Sequence, residues 1–223
     1  MPIASNTLQQ LRTYVAKLYR ERMTDVPFHG WHHLDFVARK SKRFAAELGA
    51  DESLVEASAL VHDLNYLVDR RSEAGAGAVL RREILSATGF SDPQIERIES
   101  IVASAETKYR DEEISVEAQA LSDADTLFKA LPITPVVLAP LYLRETGRSI
   151  RELAEKIVGE QVPLNQKRIY FYTASAREKY QTWADANLSI WKCVLESLDD
   201  PDVEELIAIV GKAEPAASLL PAA

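Results

Sequence analysis

The residues most suited to chemistry are the histidines, because the chain has only four of them and they fall into two short segments. His29, His32 and His33 occur together, and His62 stands directly before Asp63 further along the chain. Imidazole nitrogens and carboxylate oxygens bind divalent cations such as Mn, Fe, Co, Ni, Zn and Mg. The two segments therefore predict a metal site, provided that the fold brings them together.

Helical periodicity indicates which histidine of the first segment faces the core. At about 100° per residue, His33 lies on the same side of its predicted helix as Val37 and Phe44, whereas His32 lies roughly opposite. We therefore expect His33 to point inward and His32 to point outward. A single inward histidine is more often structural than a ligand, so a metal site requires further ligands from other segments.

The second segment, residues 54–64, is apolar around most of its circumference and predicts a buried helix. It ends in His62 and Asp63, and a carboxylate in such a place is costly unless it is hydrogen-bonded, ion-paired or bound to a metal. A further predicted helix offers a fourth ligand, because Asp123 and Asp125 flank its inward stripe about equally. Periodicity does not choose between these two aspartates.

The composition indicates which elements position these side chains. With only 8 glycines among 223 residues and abundant Ala, Leu, Glu and Arg, local propensity favours helix. Ser91-Asp92-Pro93 and Asp200-Pro201 each place a capping side chain before a proline that suits the first helical turn. The predicted fold is all-α. The predicted helices cover residues 5–23, 31–48, 52–64, 73–87, 92–107, 115–130, 133–146, 149–160, 164–171, 174–198 and 201–211.

Charge and cysteine content exclude several classes of protein. Lys and Arg number 26 against 34 Asp and Glu, which gives a net charge of −8, so we expect no non-specific nucleic-acid binding. The one cysteine excludes an internal disulfide framework and favours a reducing, cytoplasmic location. The longest apolar run, residues 136–143, is too short to span a bilayer, and we expect neither export nor membrane association.

The order and spacing of these residues resemble the HD-domain superfamily of metal-dependent phosphohydrolases. Its signature is a histidine on one helix, a His-Asp pair about one helical hairpin later and a distal aspartate. His33 resembles the first histidine of this signature. His62-Asp63, within Leu60-Val61-His62-Asp63-Leu64, resembles its His-Asp pair. Ala124-Asp125-Thr126-Leu127 resembles the segment that carries the last aspartate, which favours Asp125 and leaves Asp123 as the alternative.

The resemblance extends, over roughly residues 10–195, to a subgroup of small uncharacterised predicted HD hydrolases. Phe28-His29-Gly30-Trp31-His32-His33 resembles the opening motif of that subgroup. Arg168-Ile169-Tyr170 and Ala186-Asn187-Leu188 resemble its C-terminal motifs. The subgroup's expected glutamate falls at Ala74, with Glu73 one place before it. The additional histidines of binuclear members are missing, which implies one divalent ion rather than two.

The resemblance implies an HD-domain-like helical bundle with a C-terminal helical extension. We expect a single domain over residues 1–211, with a core at about 25–135 and the extension at about 136–211. The Ala/Pro-rich residues 212–223 are expected to form a disordered tail. The apolar segment 132–140 and the long C-terminal helix are the candidate contacts of a homodimer.

The implied activity is hydrolysis of a small phosphate ester, such as a nucleotide or a related metabolite, by attack of a metal-bound water. The implied ligands of the one divalent ion are His33, His62, Asp63 and Asp125. Asp63 and Glu73 are the implied catalytic residues. Lys129, Arg70 and His29 are the implied contacts of the phosphorylated substrate.

Several alternatives stay open at this point. Asp69 and Glu106 are further candidates for the acid or base. Lys129 follows Asp125 by one helical turn, so it fits a surface ion pair as well as a phosphate contact. A regulatory protein that keeps the metal but has lost turnover is the second hypothesis for the function. A di-iron oxygenase of the HD type is the third, and the small number of histidines argues against it.

Overall fold

The computed structural model describes residues 3–69 and 72–213, and these residues contain helices and no β-strand. The α-helices are α1 (Ser5–Glu21), α2 (Trp31–Leu48), α3 (Glu52–Val61), α4 (Asn65–Val68), α5 (Ala78–Ala87), α6 (Asp92–Ser104), α7 (Val116–Lys129), α8 (Ala139–Thr146), α9 (Ile150–Lys167), α10 (Ala174–Ser197) and α11 (Pro201–Ala213). Short 3-10 turns cover Ala74–Gly77 and Thr107–Tyr109, and one π-helical turn covers Thr134–Leu138. The predicted all-α fold is confirmed.

The predicted helix starts follow from capping. Ser91 forms a capping box with Gln94 at the start of α6, and α11 starts at Pro201 as its Asp200-Pro201 signal predicts. Helix α2 ends at Gly49, whose φ of 66° lies in the left-handed region and whose N–H bonds carbonyls of the last turn. Glycine adopts that conformation without the strain that a side chain brings.

One predicted helix is wrong. Separate helices are predicted at 149–160 and 164–171, and Pro163 lies in the gap between them. Proline lacks the N–H donor and clashes with the preceding turn of a helix. Helix α9 instead runs through Pro163 while packed against α10, and it ends where Arg168 adopts a φ of 57°. The backbone N–H groups of Tyr172 and Thr173 then bond the Asp123 carboxylate, so tertiary hydrogen bonds hold the segment between α9 and α10.

Four other predicted helices are shorter than expected or divided. The helix predicted over 52–64 ends at Val61, and a turn at 62–64 separates it from α4. The helix predicted over 73–87 is divided into a 3-10 turn and α5, and the one predicted over 133–146 is divided into a π-helical turn and α8. The helix predicted over 92–107 ends at Ser104. The turn at 62–64 matters for function, because it carries the His-Asp pair.

Helix α2 occupies the centre of the fold and packs against both α3 and α7. Every residue of α3 from Leu54 to Val61 is buried, which explains why this helix is apolar around most of its circumference. Its buried carboxylate, Glu56, is ion-paired with Arg12 and Lys42. A second, smaller apolar cluster joins α8, α9 and α10 through Ala139, Leu153, Ala154 and Trp191. The C-terminal helices therefore have a core contact of their own beside the main one.

Two expectations concern residues at the margins of the structure. Arg70, an expected substrate contact, lies outside the described residues. The expected tail at 212–223 also lies outside them from residue 214 onward, whereas α11 extends to Ala213 and so two residues into the predicted tail.

Within the described ranges, no single helix has the length and apolar character needed to cross a membrane. One pair of helical segments, Val116–Lys129 with Thr134–Thr146, meets the requirement by length and composition, with a bend of 71° between its halves.

Candidate metal centre

Three helices bring the expected metal ligands together. His33 lies near the start of α2, His62 and Asp63 follow the end of α3, and Asp125 lies on α7. His33 is fully buried, and His32 is exposed, as the helical periodicity predicts. Because α2 packs directly on α3 and α7, side chains that are distant in sequence converge at one point.

The ligand atoms are close enough to share one ion. The Nε2 atoms of His33 and His62 are 3.2 Å apart. The Asp63 carboxylate lies 2.8 Å from Nε2 of His33 through one oxygen and 3.3 Å from Nε2 of His62 through the other. Asp125 Oδ1 lies 3.7 and 3.9 Å from the same two nitrogens. Metal–ligand bonds of about 2.0–2.2 Å separate neighbouring ligand atoms by about 3–4 Å, so these spacings fit one divalent ion.

Hydrogen bonds around the histidines also fit a metal site. His62 Nδ1 lies 2.8 Å from the backbone carbonyl of Ala59 and donates its proton there, which leaves Nε2 with a free lone pair. A second hydrogen bond of this kind commonly fixes the tautomer of a metal-bound histidine. Nδ1 of His33 is buried without a partner, so the polar contacts of that ring are all made by Nε2 at the centre. His33, His62 and Asp63 thus form a donor set that fits a divalent cation.

The electrostatics of the centre keep both carboxylates ionised. Burial acts to raise the pKa of Asp63, but His62 and His33 oppose it, and the net pKa lies well below the usual range. Burial likewise acts to raise the pKa of Asp125, and Lys129 together with the histidines lowers it overall. Two ionised carboxylates beside two imidazoles form a site whose charge matches a doubly charged cation.

Asp123, the alternative to Asp125, lies in a different environment. Its carboxylate is fully buried and bonds Arg110 at 2.6 Å, Tyr172 N at 2.8 Å and Thr173 N at 2.8 Å. Arg110 is itself buried and lies over the Tyr172 ring. Asp123 therefore joins α7 to the segment before α10, with both of its oxygens already bonded.

A cavity of about 560 Å³ opens beside the centre. His62, Asp63 and Asp125 lie in its wall, together with Lys129. The Lys129 ammonium bonds Asp125 Oδ2 at 2.7 Å, while Asp125 Oδ1 faces the histidines. Burial acts to lower the pKa of Lys129, but the neighbouring Asp125 carboxylate raises it overall, so the ammonium stays charged beside the cavity.

The acidic candidates for proton transfer lie at the rim of this cavity. Glu73 and Glu106 both line it. The Glu73 carboxylate is 79% exposed and lies 2.9 Å from the Lys108 ammonium, and Glu106 lies 3.4 Å from the same ammonium and is 27% exposed. Lys108 is not among the residues predicted for the site, because no motif marks it and its partner Glu73 is 35 residues away in the chain.

His29 faces a neighbouring cavity rather than the ligand cluster. Its Nδ1 lies 2.5 Å from Glu145 Oε1, and its ring stacks on Tyr66 with centroids 3.6 Å apart. Glu145 Oε2 also accepts hydrogen bonds from the backbone N–H groups of Phe28 and His29. Sequence reasoning missed Glu145, because the two partners are 116 residues apart and no local pattern relates them.

Replacing Glu145 with glutamine is expected to destabilise the fold, by about 1–3 kcal/mol, because a buried charged acceptor of three hydrogen bonds becomes a neutral one. Burial acts to raise the pKa of Glu145, but His29 and the backbone donors lower it overall. A pKa lowered by folding stabilises the protein above the unfolded-state value, and this contribution is lost as the pH falls through the folded-state value.

Urea unfolding of the wild-type protein and of Glu145→Gln, at pH 7 and in steps down to about pH 3, measures the stability that the Glu145 charge contributes. The difference in unfolding free energy should be largest at pH 7 and shrink below about pH 5. Glu83→Gln, at an exposed position of α5, is the matched control and should change little. A difference that stays constant with pH would contradict the role assigned to the Glu145 charge.

Comparison with known proteins agrees with this architecture. Residues 30–129 match the HD-domain family, a range that includes His33, His62, Asp63 and Asp125. The chain therefore contains an HD domain over this range, and an HD domain indicates a superfamily of metal-dependent hydrolases. No curated protein sequence matches the chain.

Solved structures show the same fold. A Lactobacillus plantarum protein, solved as a structural genomics target, has a TM-score of 0.64 at 20% identity, over 88% of this chain and 97% of its own. Bacillus subtilis YpgQ, solved in complex with ADP, has a TM-score of 0.58 at 19% identity, over 89% and 97%. The Listeria innocua Lin1889 protein has a TM-score of 0.52 at 17% identity, over 86% and 96%. At these identities the comparison concerns the fold alone.

Proposed function

We propose that this protein is a metal-dependent phosphohydrolase that hydrolyses a small phosphate ester, such as a nucleotide or a related metabolite. The observation that carries the proposal is the convergence of His33, His62 and Asp63, with ligand atoms 2.8–3.3 Å apart, in a chain that contains an HD domain. Asp125 is the fourth proposed ligand of one divalent ion.

A divalent cation at this centre would supply Lewis acidity, polarising a phosphoryl oxygen and lowering the pKa of water. The protein's own residues have separate tasks. His33, His62, Asp63 and Asp125 would bind the ion. Lys129 adds a positive charge at the cavity wall beside Asp125, where its ammonium would bind an oxygen of the phosphoryl group.

The remaining expected residues take roles at the edge of the site. Glu73, the proposed acid or base, lines the cavity and pairs with Lys108. Glu106 shares that ammonium and lines the same cavity, so it is the alternative. His29 lines the adjacent cavity with Tyr66, where it would contact the substrate away from the metal.

Nucleotides are the first substrate class to test. YpgQ, which shares the fold, was solved in complex with ADP. The cavity beside the centre has both carboxylates and ammonium groups in its wall, as a site for a cation and a phosphate requires.

The experiment that tests the proposal compares the purified protein with its His62→Ala/Asp63→Ala variant. Metal content is measured by elemental analysis, and turnover is measured on nucleotides and other phosphoesters with added Mn, Mg, Co or Ni. We expect the wild-type protein to bind close to one ion per chain and to release phosphate or pyrophosphate. The variant should lose both properties, because two of the four donor groups are gone, while circular dichroism shows that its helices persist.

The outcomes separate the competing hypotheses. Bound metal without turnover on any compound favours the regulatory alternative, in which the centre is kept and catalysis is lost. Turnover that survives unchanged in the double variant would refute the proposed centre.

A further inference from the structure

Large apolar side chains are exposed on one side of the C-terminal part of the fold. Trp183 and Ile190 lie on α10, and Ile133, Val136 and Val137 lie at the π-helical turn that packs against α10. These five residues, which we call the apolar patch, are 39–77% exposed. Single exposed apolar residues are ordinary, whereas a contiguous group of them usually marks an interaction site.

A hydrogen bond joins the two halves of the apolar patch. The Asn187 amide on α10 donates to the Leu131 carbonyl at 2.6 Å, and Leu131 leads into the π-helical turn. Trp183 and Ile190 lie one helical turn before and after Asn187, on the same side of α10. The two halves are therefore adjacent, and both present apolar surface to solvent.

Charged residues follow the exposed side of α10 in a symmetric order. From residue 179 to the end of the helix they are Lys179, Asp185, Lys192 and Glu196. The midpoint between Lys179 and Glu196 and the midpoint between Asp185 and Lys192 both fall within residues 186–189. Each cation thus has a carboxylate at nearly the same distance on the other side of this midpoint. Asp185 uses Oδ1 for both of the hydrogen bonds that it accepts from described residues, so Oδ2 can bind a cation.

This order makes the helix complementary to a second copy of itself. In an antiparallel pair related by a twofold axis, residue i of one copy meets residue j of the other, and j meets i. An axis near residues 186–189 brings each lysine to a carboxylate of the other copy. It also brings Trp183 next to Ile190 of the other copy, since the midpoint of these two lies there as well. A parallel, in-register pair would instead place each charge against its like.

We propose that α10 packs antiparallel against α10 of a second copy, and that the apolar patch of each chain completes the interface of a homodimer. The occupant is a second copy of this chain, because one stretch of helix supplies both members of every ion pair. The segment 132–140 and the long C-terminal helix are the two candidate dimer contacts of the sequence, and the apolar patch lies on both. The dimer does not depend on the proposed phosphohydrolase activity.

Helix α11 offers a competing apolar surface. Its exposed apolar side chains are Leu206, Ile207, Ile209 and Val210. The charged residues among 201–210 are all acidic, so this helix has no self-complementary order of charges there. It therefore serves as the comparison for the interface proposed on α10.

The first test measures the mass of the full-length protein by sedimentation velocity over a range of concentrations. The wild-type protein should have twice the chain mass of 24.9 kDa. Ile190→Arg should weaken the dimer more than about 100-fold, because each dimer then buries two unpaired guanidinium groups. Ile207→Arg, at an exposed position of α11, should leave the mass unchanged. Circular dichroism of each variant checks that the helices persist.

The second test examines the register through charge reversal at two exposed positions. Lys179→Glu and Glu196→Lys each place like charges opposite one another at both ends of the interface, and each should weaken its own homodimer about tenfold. A mixture of the two variants restores opposite charges at both ends, so the mixed dimer should form in preference to either homodimer. An affinity tag on one variant measures how much of the other copurifies with it.

The outcomes decide the proposal without any measurement of metal or turnover. Loss of the dimer in Ile190→Arg, together with preference for the mixed dimer, supports it. A wild-type protein that stays monomeric at every concentration overturns it, because no second copy then covers the apolar patch. A dimer that Ile207→Arg dissociates and Ile190→Arg does not would lie on α11 and would overturn it too. A mixture without preference for the mixed dimer contradicts the antiparallel register and with it the proposed interface.

Discussion

Asp125→Asn is expected to lower the affinity for the divalent ion by more than about 100-fold and to lower kcat/KM by at least as much. Loss of a group that only orients a metal ligand lowers metal affinity or activity by about 10–100-fold. Replacement of a ligand itself should lower them further. Asp125 Oδ1 is the oxygen that faces Nε2 of His33 and His62. An amide at this position is a neutral and weaker donor than a carboxylate, so one negative charge of the centre is lost.

The fold of this variant should persist. An asparagine at this position can still accept a hydrogen bond from Lys129, which contacts Asp125 on its outer side. Loss of the charge also removes the repulsion between Asp125 and Asp63 in the metal-free protein, which offsets the lost ion pair. Titration calorimetry with Mn²⁺ measures the affinity, and thermal unfolding in a chelator measures the stability without metal. We expect the melting temperature in chelator to change by less than about 3 °C. Unchanged Mn²⁺ affinity would exclude Asp125 as a ligand.

The second large effect is expected for the same substitution two residues earlier on α7. Asp123→Asn should destabilise the protein by about 3–5 kcal/mol, because it leaves the buried Arg110 guanidinium without its charged partner. The asparagine amide would also face the backbone N–H of Tyr172 or Thr173, donor against donor. For a chain of this size, the loss corresponds to a melting temperature lower by roughly 6–20 °C.

Each of these two variants is the control for the other. Thermal unfolding should detect Asp123→Asn strongly, and Mn²⁺ affinity measured below its melting temperature should stay close to that of the wild type. Arg110→Met/Asp123→Leu replaces both charges together and should recover part of the stability, since apolar residues can replace a buried ion pair. If Asp123→Asn instead abolishes metal binding in a stably folded protein, the distal ligand is Asp123 and our assignment is wrong.

The outcome at Pro163 illustrates why part of the fold was not predictable from local sequence. Proline is the strongest local signal against a continuing helix, and Pro163 lies between the helices predicted at 149–160 and 164–171. Packing of α9 against α10 outweighs one missing hydrogen bond. This packing energy depends on residues of another helix, so the local sequence around Pro163 does not reveal it. Residues 168–171 are also predicted as helix, but Arg168 adopts a left-handed φ of 57° and ends α9. The residues that follow, Tyr172 and Thr173, are held by hydrogen bonds to Asp123 on a distant helix.

The sequence by itself determined the helical fold and the inward direction of His33. It also identified the His62-Asp63 pair at the end of a helix that is apolar around most of its circumference. These properties follow from helical periodicity, capping and propensity, which act between residues a few positions apart. The choice between Asp123 and Asp125 required the tertiary structure, because both residues flank the core stripe of α7 and helical periodicity does not distinguish them.

The tertiary structure alone decided which contacts these side chains make. It directs Asp125 toward the histidines and Asp123 toward Arg110, it bonds His29 to Glu145 across the fold, and it leaves the indole N–H of Trp191 unpaired. Such contacts join residues that are far apart in the chain, and their energies depend on burial and distance. Both quantities exist only once the helices have packed.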